Sequence, residues 1–260
     1  ADVVIAGNVT LQATGTNRAI DFTGNTASDT GTQRLTLLTD GAMTHTGAIE
    51  VDELALQGAA DYTLGSTGNQ IGLLAAGTRA ERIGALTLGN GAAMSIGTLG
   101  SENGIQASDD ISITNAASAT LTVSQAIDTL SATNQAADSA NAITLGGNGV
   151  SNINAGITAP GDIEFSGTTN VSGVTVESTA AGVTLSGNGG TLDSGAKLKT
   201  TAGDLTLSGN NVTLATATLE STSGDVLPSG SNTASNAGAV TPPNDAIDSP
   251  DWLNMTSDGT

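Results

Sequence analysis

The stretch that decides the fold runs from residue 161 to residue 224, where one unit recurs as GDIEFSG (161–167), GVTLSGN (182–188) and GDLTLSGN (203–210). A fourth copy begins at residue 224 with Gly-Asp-Val, and the opening glycines lie 21 residues apart each time. Self-similarity at a fixed period is typical of a solenoid, in which every repeat is one structural unit. The repeat therefore predicts the architecture before composition is considered.

Each unit contains three short segments in which apolar and polar residues alternate. In the third unit these segments carry Leu205 and Leu207, then Leu214, then Leu219. A period of two places successive side chains on opposite faces of a strand, so we expect Leu205 and Leu207 to point inward and Thr206 to point outward. Gly, Asn and Ser between the segments favour tight corners.

Three strands of this length with tight corners fit one turn of a coil. Successive turns then stack each strand on its counterpart, in parallel and about 4.8 Å apart. We therefore predict an all-β parallel β-helix (β-solenoid) with three short strands per ~21-residue coil. A β-sandwich or barrel also has many short strands, but nothing in such a fold makes its corners recur at a constant period.

Composition limits the partners of the chain. There are 25 acidic against six basic side chains, a formal net charge of −19 and no cysteine. This charge argues against nucleic acid and anionic membrane surfaces as partners, and the missing thiols exclude disulfides and thiolate metal sites. Composition alone leaves disorder open, but the regular placement of the apolar residues favours an ordered rod. No apolar run is long enough for a membrane-spanning helix.

The chain divides into one β-solenoid domain over residues 1–228 and an acidic, Pro-, Ser- and Asn-rich tail over residues 229–260. Counted at ~21 residues per coil, residues 1–228 give about eleven coils and a rod of about 50 Å. Residues 125–141 show no β alternation and form either a surface excursion, which is the favoured prediction, or one degenerate coil. The composition of the tail favours a disordered linker, and the alternative is that residues 242–255 dock on a neighbouring subunit.

The segments GDLTLSGNNVTL (203–214) and GNGGTL (187–192) resemble the shaft repeats of the filamentous haemagglutinin family and of related autotransporter passengers. The resemblance is clearest over residues 142–226. It implies a right-handed β-helix exposed at a bacterial cell surface and acting in adhesion, matrix or biofilm formation. The chain has no Asn-Pro dipeptide, which occurs in the secretion domain of that family, so the resemblance concerns the shaft alone.

Three acidic groups are candidates for calcium or for a sugar-cleaving pair: Asp52-Glu53, Asp109-Asp110, and Asp162 with Glu164. No motif sets a ligand spacing around them, so solvated corners and outward strand positions are the favoured interpretation. His45 is the sole histidine, and we expect it at the surface or in a corner. No residue is assigned as catalytic, cofactor-binding or metal-ligating, and calcium lacks the support of a motif.

Threonine recurs at outward strand positions, and a flat threonine array can bind ice. The preference of threonine for exposed strand positions and for stacking in ladders explains the pattern without ice. The positions are Thr36, Thr87, Thr144, Thr184, Thr206 and Thr213.

These observations predict a non-enzymatic, secreted structural protein, either an adhesin shaft or a self-assembling subunit of an extracellular filament or matrix. The alternative is a carbohydrate-binding or carbohydrate-cleaving β-helix. The partners expected are further copies joined end to end and host or environmental glycans, without nucleic acid or membrane insertion.

Overall fold

The computed structural model describes residues 3–15, 18–28, 32–130, 140–147, 149–229, 232–235, 240–241 and 255–256. Within these ranges the chain is all-β, contains no helix and forms a parallel β-solenoid of about 9 turns with ~22 residues per turn. The predicted fold class is confirmed, while the right-handed sense of the coil stays a prediction.

The described residues form 33 strands, most of them two to five residues long. The strands of the first half are β1 (Val3–Ile5), β2 (Val9–Ala13), β3 (Ile20–Phe22), β4 (Thr26–Ser28), β5 (Arg34–Thr39), β6 (Met43–His45), β7 (Ile49–Gln57), β8 (Tyr62–Leu64), β9 (Gln70–Ala76), β10 (Leu86–Asn90), β11 (Met94–Ile96), β12 (Thr98–Leu99), β13 (Glu102–Asn103), β14 (Ile105–Gln106), β15 (Ile111–Asn115), β16 (Thr120–Val123) and β17 (Ile127–Asp128). Those of the second half are β18 (Ile143–Gly147), β19 (Val150–Ile153), β20 (Ile157–Ala159), β21 (Ile163–Phe165), β22 (Thr168–Val171), β23 (Thr175–Ser178), β24 (Val183–Leu185), β25 (Gly190–Leu192), β26 (Lys197–Thr200), β27 (Leu205–Leu207), β28 (Thr213–Ala215), β29 (Thr218–Ser221), β30 (Val226–Pro228), β31 (Thr233–Ser235), β32 (Val240–Thr241) and β33 (Met255–Thr256).

Each regular coil contributes one strand to each of three parallel ladders, which we call faces 1, 2 and 3. Face 1 is a ten-stranded sheet in the order β3-β6-β8-β10-β15-β18-β21-β24-β27-β30. Face 2 follows β11, β16, β19, β22, β25 and β28, and face 3 follows β14, β17, β20, β23, β26 and β29. Toward the N-terminus the long strands β7 and β9 run through both of these faces.

The core lies inside the coil and consists of stacked apolar rows. Leu205 and Leu207 are both 0% exposed, and Thr206 between them is only half-buried, which confirms the predicted orientation. Each inward side chain stacks on its equivalent in the coils before and after it. One such row of face 1 contains Leu64, Leu88, Ile113, Leu145, Phe165, Leu185 and Leu207.

Polar side chains close the corners between the faces. At the end of face 3 the Ser221 hydroxyl donates to the carbonyl of Gly224 (2.8 Å) and accepts from its N–H (3.0 Å), and Ser178 and Thr200 are equally buried there. After face 1 the buried side chain of Asn90 accepts from the N–H of Ile71 (2.9 Å) in the preceding coil. These groups satisfy backbone N–H and C=O groups that a tight corner leaves without a ladder partner.

The prediction of about eleven coils is wrong, because it extended the regular period over the whole chain. The register of face 1 pairs Ile163 with Val183 and Leu205 with Val226, steps of 20 and 21 residues. It also pairs Ile111 with Ile143, a step of 32 residues. Insertions at the corners lengthen several coils without adding a turn, so nine steps connect the ten strands of face 1.

Two segments differ from the expectation of where the coil is interrupted. Ile127 is fully buried, and β17 pairs with β14 and β20 on face 3, so residues 125–130 belong to the coil and not to an excursion. Residues 131–139 lie outside the described residues.

Parallel pairing also extends past Pro228, because β31 pairs with β28 and β32 with β29. Most of residues 229–260, including nearly all of 242–255, lie outside the described ranges, and the division at residue 228 stays a prediction.

Candidate functional site

At the corner before face 1, aspartate carboxylates form hydrogen bonds between successive coils. Asp110 accepts a hydrogen bond from the backbone N–H of Ala142 in the next coil (2.7 Å), and Asp162 accepts one from Gly182 (2.9 Å). In the same way, the carboxylate of Asp61 accepts from the N–H of Ala85, and that of Asp204 accepts from the N–H of Asp225. A carboxylate that accepts a backbone N–H is a strong, charge-assisted partner. These aspartates therefore connect successive coils.

Other candidate carboxylates also form ion pairs or hydrogen bonds within the fold. Glu53 Oε2 lies 2.8 Å from Arg34 Nε, the Asp52 carboxylate accepts from the N–H of Gln33 (3.4 Å), and Ser186 Oγ donates to Glu164 (3.4 Å). The structure does not bring the three acidic groups together. Among the described residues, no three His, Cys, Asp or Glu side chains are close enough to hold a metal ion.

Basic side chains make ion pairs along face 3. Lys199 Nζ lies 2.6 Å from Glu177 Oε1, and Lys197 Nζ lies 2.6 Å from Glu220 Oε2. The hydrogen bond to Glu177 raises the pKa of Lys199, and the hydrogen bond from Lys197 lowers the pKa of Glu220. Both pairs are partly exposed, so they neutralise this stretch of the surface more than they stabilise the fold.

His45 is not where the sequence predicted it. It occupies an inward position of β6 and is 2% exposed, so the expectation of a surface or corner histidine is wrong. The alternation Met43-Thr44-His45 contains the reason, because residues two apart in a strand share a face and Met43 is fully buried.

Outward threonines form one row on face 1. Thr63, Thr87, Thr144, Thr184 and Thr206 all lie on this row. Ser112 and Glu164 occupy two of its positions, so a carboxylate interrupts the hydroxyls. Thr36 and Thr213 lie elsewhere, on β5 and β28.

The feature that the sequence analysis missed is an antiparallel hairpin outside the coil. Strands β12 and β13 pair with each other, and Leu99 is 1% exposed because it packs on the outer side of Ala55, Ala75 and Leu73. Gly104 ends the hairpin with φ +75, and a Cβ there would overlap the carbonyl of Ala126. Only glycine allows this close approach to the next coil.

Two grooves flank this hairpin and share Thr78 and Ser101 in their walls. The first, which we call the acidic groove, has a volume of ≈ 420 Å³ and is lined by Asp40, Gln57, Glu81 and Glu102 among others. The second, which we call the mixed groove, has a volume of ≈ 470 Å³ and is lined by Arg79, Asn103, Gln106, Asp128 and Thr158 among others. Both volumes fall in the range of small-molecule sites, ~300–1,000 Å³.

The walls of the grooves are held by hydrogen bonds. In the hairpin, Thr98 Oγ1 donates to Asn103 Oδ1 (2.6 Å). On the acidic side, Gln57 Nε2 and Ser101 Oγ both donate to Glu102 Oε1, at 2.8 and 2.7 Å. Glu102 is 3% exposed. The hairpin is therefore fixed to the coil and forms a rigid wall for both grooves.

Arg82 holds three successive coils together beneath the mixed groove. Its Nη1 donates to the carbonyls of Ala107 and Asp128, each at 2.9 Å, and its Nη2 lies 3.0 Å from Asp128 Oδ2. The Arg82 side chain is only 5% exposed. A planar guanidinium with several donors suits such a buried multiple contact.

A signal for the grooves was present in the spacing. Face 1 steps by 24 residues from Tyr62 to Leu86 and by 25 residues from Leu86 to Ile111, against 20 to 22 in the regular coils. Extra residues in a coil must leave the core, and three glycines at 97, 100 and 104 mark where they do so.

Comparison of the chain with protein-family models, with curated proteins and with solved structures finds no match. The stacked coils are those of a β-helix repeat protein, and the finer resemblance to filamentous haemagglutinin shafts rests on the segments 187–192 and 203–214 alone. Over the ranges that the structure describes, no helix is long and apolar enough to cross a membrane.

Proposed function

We propose that the chain is a non-enzymatic structural module, either the shaft of a secreted adhesin or a subunit of an extracellular filament or matrix. The observation that supports this function is the in-register stacking of face 1 from β3 to β30. Nine steps of about 4.8 Å make a rod of about 43 Å. Because each coil contacts mainly its neighbours, such a rod becomes longer by adding coils.

The polar groups of the corners support the same function. The hydrogen bonds accepted by Asp110 and Asp162 connect one coil to the next, in the same direction as the backbone hydrogen bonds of the ladders. Load applied along the rod is then shared by many parallel bonds. Acidic sides with a net charge of −19 keep neighbouring rods apart and disfavour nucleic acid and anionic membranes as partners.

End-to-end association is part of this proposal. Among the described residues, β1, β2 and β3 pair only with β4, β5 and β6 of the following coil. Their other edges offer backbone donors and acceptors to a further coil or to a second copy. Either partner extends the rod at a bacterial cell surface or in the extracellular matrix. The proposal requires no cofactor.

Single-molecule pulling from both ends tests the shaft. A rod that carries load coil by coil extends in successive steps of about 70 Å, because ~22 residues are released at ~3.3–3.6 Å each and the ~4.8 Å rise of one coil is lost. Opening of the whole rod in one step at low force would contradict the proposal.

Electron microscopy of the purified chain, with and without calcium, tests the filament version: fibres one coil wide support self-assembly, and dispersed short rods restrict the function to a shaft.

The alternative of a carbohydrate-active β-helix has support on its binding side, from the amide and hydroxyl side chains of Asn103, Gln106 and Thr158 in the lining of the mixed groove. Cleavage requires two carboxylates on either side of the glycosidic bond. The carboxylate of the mixed groove, Asp128, accepts from the N–H of Leu130 through Oδ1 (2.6 Å) and pairs with Arg82 through Oδ2. We therefore propose that this carboxylate has a structural role.

A further inference from the structure

The core at the N-terminal end of the rod is covered on one side only. Leu35 and Leu37 of β5 point into the core and are 0% exposed. Val9 and Leu11 of β2 stack on them in register but are only half-buried. Val9 and Leu11 therefore lack the apolar cover that a further strand on the other side of β2 would supply.

Strand β2 also presents backbone groups on its uncovered side. The carbonyl of Ala13 accepts from the N–H of Asp40 (3.3 Å), so Ala13 faces β5. Successive residues of a ladder strand face opposite neighbours, and Thr10 and Gln12 therefore face away from β5. Among the described residues, β2 pairs with β5 alone. The N–H and C=O groups of Thr10 and Gln12 are the row that an added strand would pair with.

The edge strands at this end carry little charge. Of the eleven residues in β1, β2 and β3, only Asp21 is charged, although the chain as a whole has a net charge of −19. Edge strands that avoid association usually carry charged residues or proline. Between rods of the same sign, an uncharged strand is where two copies approach at the lowest electrostatic cost.

The opposite edge of face 1 is less suited to pairing. The N–H of Ser229 donates to the carbonyl of Leu207 (2.7 Å), so by the same alternation Pro228 of β30 faces away from β27. Proline has no N–H and is found in sheets mainly at such edges. A second copy that paired with β30 would meet a missing donor. The N-terminal edge is therefore matched better by another N-terminal edge.

We propose that two copies of the chain join through β2, antiparallel and about a twofold axis at Leu11. This inference rests on the end-to-end association proposed above and specifies its partner and its symmetry. In the register that pairs all five residues of β2, Thr10 lies opposite Gln12 of the second copy. Residues that face each other in this way exchange two backbone hydrogen bonds, and the two symmetric pairs give about four.

The side chains at the axis complete the core. The two Leu11 residues form a non-hydrogen-bonded pair, whose Cα atoms lie about 4.5 Å apart in an antiparallel ladder, and Val9 lies opposite Ala13 of the second copy. Each copy thereby supplies the apolar cover that the other lacks. The joined rod is about 90 Å long at ~4.8 Å per coil, and both C-terminal ends point outward.

Sedimentation equilibrium of the whole chain tests this inference. We expect a monomer–dimer equilibrium between about 1 and 500 µM, which Gln12→Pro should weaken at least tenfold. This proline removes an N–H on the uncovered side only, so it leaves the ladder between β2 and β5 intact. Gln12→Ala is the matched control, because it changes the side chain and keeps the N–H, and it should leave the dimer unchanged.

Cysteine variants locate the axis, since the chain has no cysteine of its own. Leu11→Cys places two thiols opposite each other, and we expect oxidised glutathione to link the dimer through a disulfide. Ala13→Cys lies four residues away from its symmetry equivalent, about 13 Å along the strand, and should not form a link.

Three outcomes would overturn the inference. A chain that stays monomeric up to about 500 µM removes the contact and leaves the shaft function to be judged by pulling. Dimers or fibres that Gln12→Pro leaves intact place the association elsewhere, and such fibres would support the filament version of the proposed function. Linking of Ala13→Cys in place of Leu11→Cys refutes the axis at Leu11. Urea unfolding of each variant separates lost association from lost folding.

Discussion

Leu207 allows the register of the rod to be tested with a single side chain. It is 0% exposed in β27, and in the inner row of face 1 it stacks between Leu185 and Pro228. Leu207→Ala removes three carbon atoms, worth about 2.4 kcal/mol at ~0.8 kcal/mol per buried methylene. The cavity that remains adds to this loss, so we expect destabilisation of about 3–4 kcal/mol.

The control for Leu207 is the residue before it. Thr206 is half-buried and points outward from the same strand, so Thr206→Ala should cost no more than about 1 kcal/mol. Leu207→Asp should disrupt the C-terminal coils, since it places an unpaired charge in the core. The contrast between adjacent residues follows from the period of two, because a slip of one residue exchanges the two faces.

Urea unfolding followed by circular dichroism measures these differences. Since coils interact mainly with their neighbours, the coils around β27 can open before the others. Hydrogen exchange of the amides in β24, β27 and β30 therefore accompanies the global measurement. The reasoning is refuted if Leu207→Ala changes stability by less than about 0.5 kcal/mol, or if Thr206→Ala costs as much as Leu207→Ala.

Three further predictions concern other parts of the rod. Arg82→Met leaves the Asp128 carboxylate without its buried partner and should cost about 3–5 kcal/mol in urea unfolding, against no measurable change for Arg18→Met. Ser221→Ala removes the hydroxyl that closes the corner at Gly224 and should cost about 1–2 kcal/mol, whereas Ser208→Ala, which is exposed, should cost less than about 0.5 kcal/mol. Burial raises the pKa of Tyr62 far above its usual range, so the folded state keeps the phenol neutral while the unfolded chain ionises from about pH 10. Stability from this group is thus fully present below about pH 10 and falls by up to ~1.4 kcal/mol per pH unit above it. This alkaline loss should be absent from Tyr62→Phe, and tyrosinate absorbance reports the event directly because the chain has one tyrosine.

The regular part of the rod was predictable because two independent features of the sequence indicated the same coil there. Alternation fixed the inward direction of Leu205 and Leu207, and the corners recurred at a constant spacing. His45 and Ile127 were missed for different reasons. His45 is a polar residue at an inward position of β6, where an apolar side chain is expected. Ile127 lies in a strand of only two residues, too short to show an alternation, so its burial depends on the coils stacked above and below it.

The grooves beside the hairpin could not be read from the sequence. Their walls join Arg79, Asn103 and Thr158, which lie in three different coils. Only the stacking of these coils brings the residues together. A longer step between the strands of face 1 shows that a coil has gained residues, but it does not show on which side of the rod they fold.

The polar residues of this chain have two different roles, and the repeat distinguishes them. An aspartate such as Asp162 or Asp204 recurs at one corner and connects one coil to the next. Its carboxylate therefore accepts a hydrogen bond within the fold. Side chains available to a ligand are therefore best sought where the repeat is interrupted. Residues 77–82 and 97–104 are such interruptions, and they line the grooves that combine charged, amide and hydroxyl groups. In a solenoid, departures from periodicity are thus a better guide to binding than the number of acidic residues.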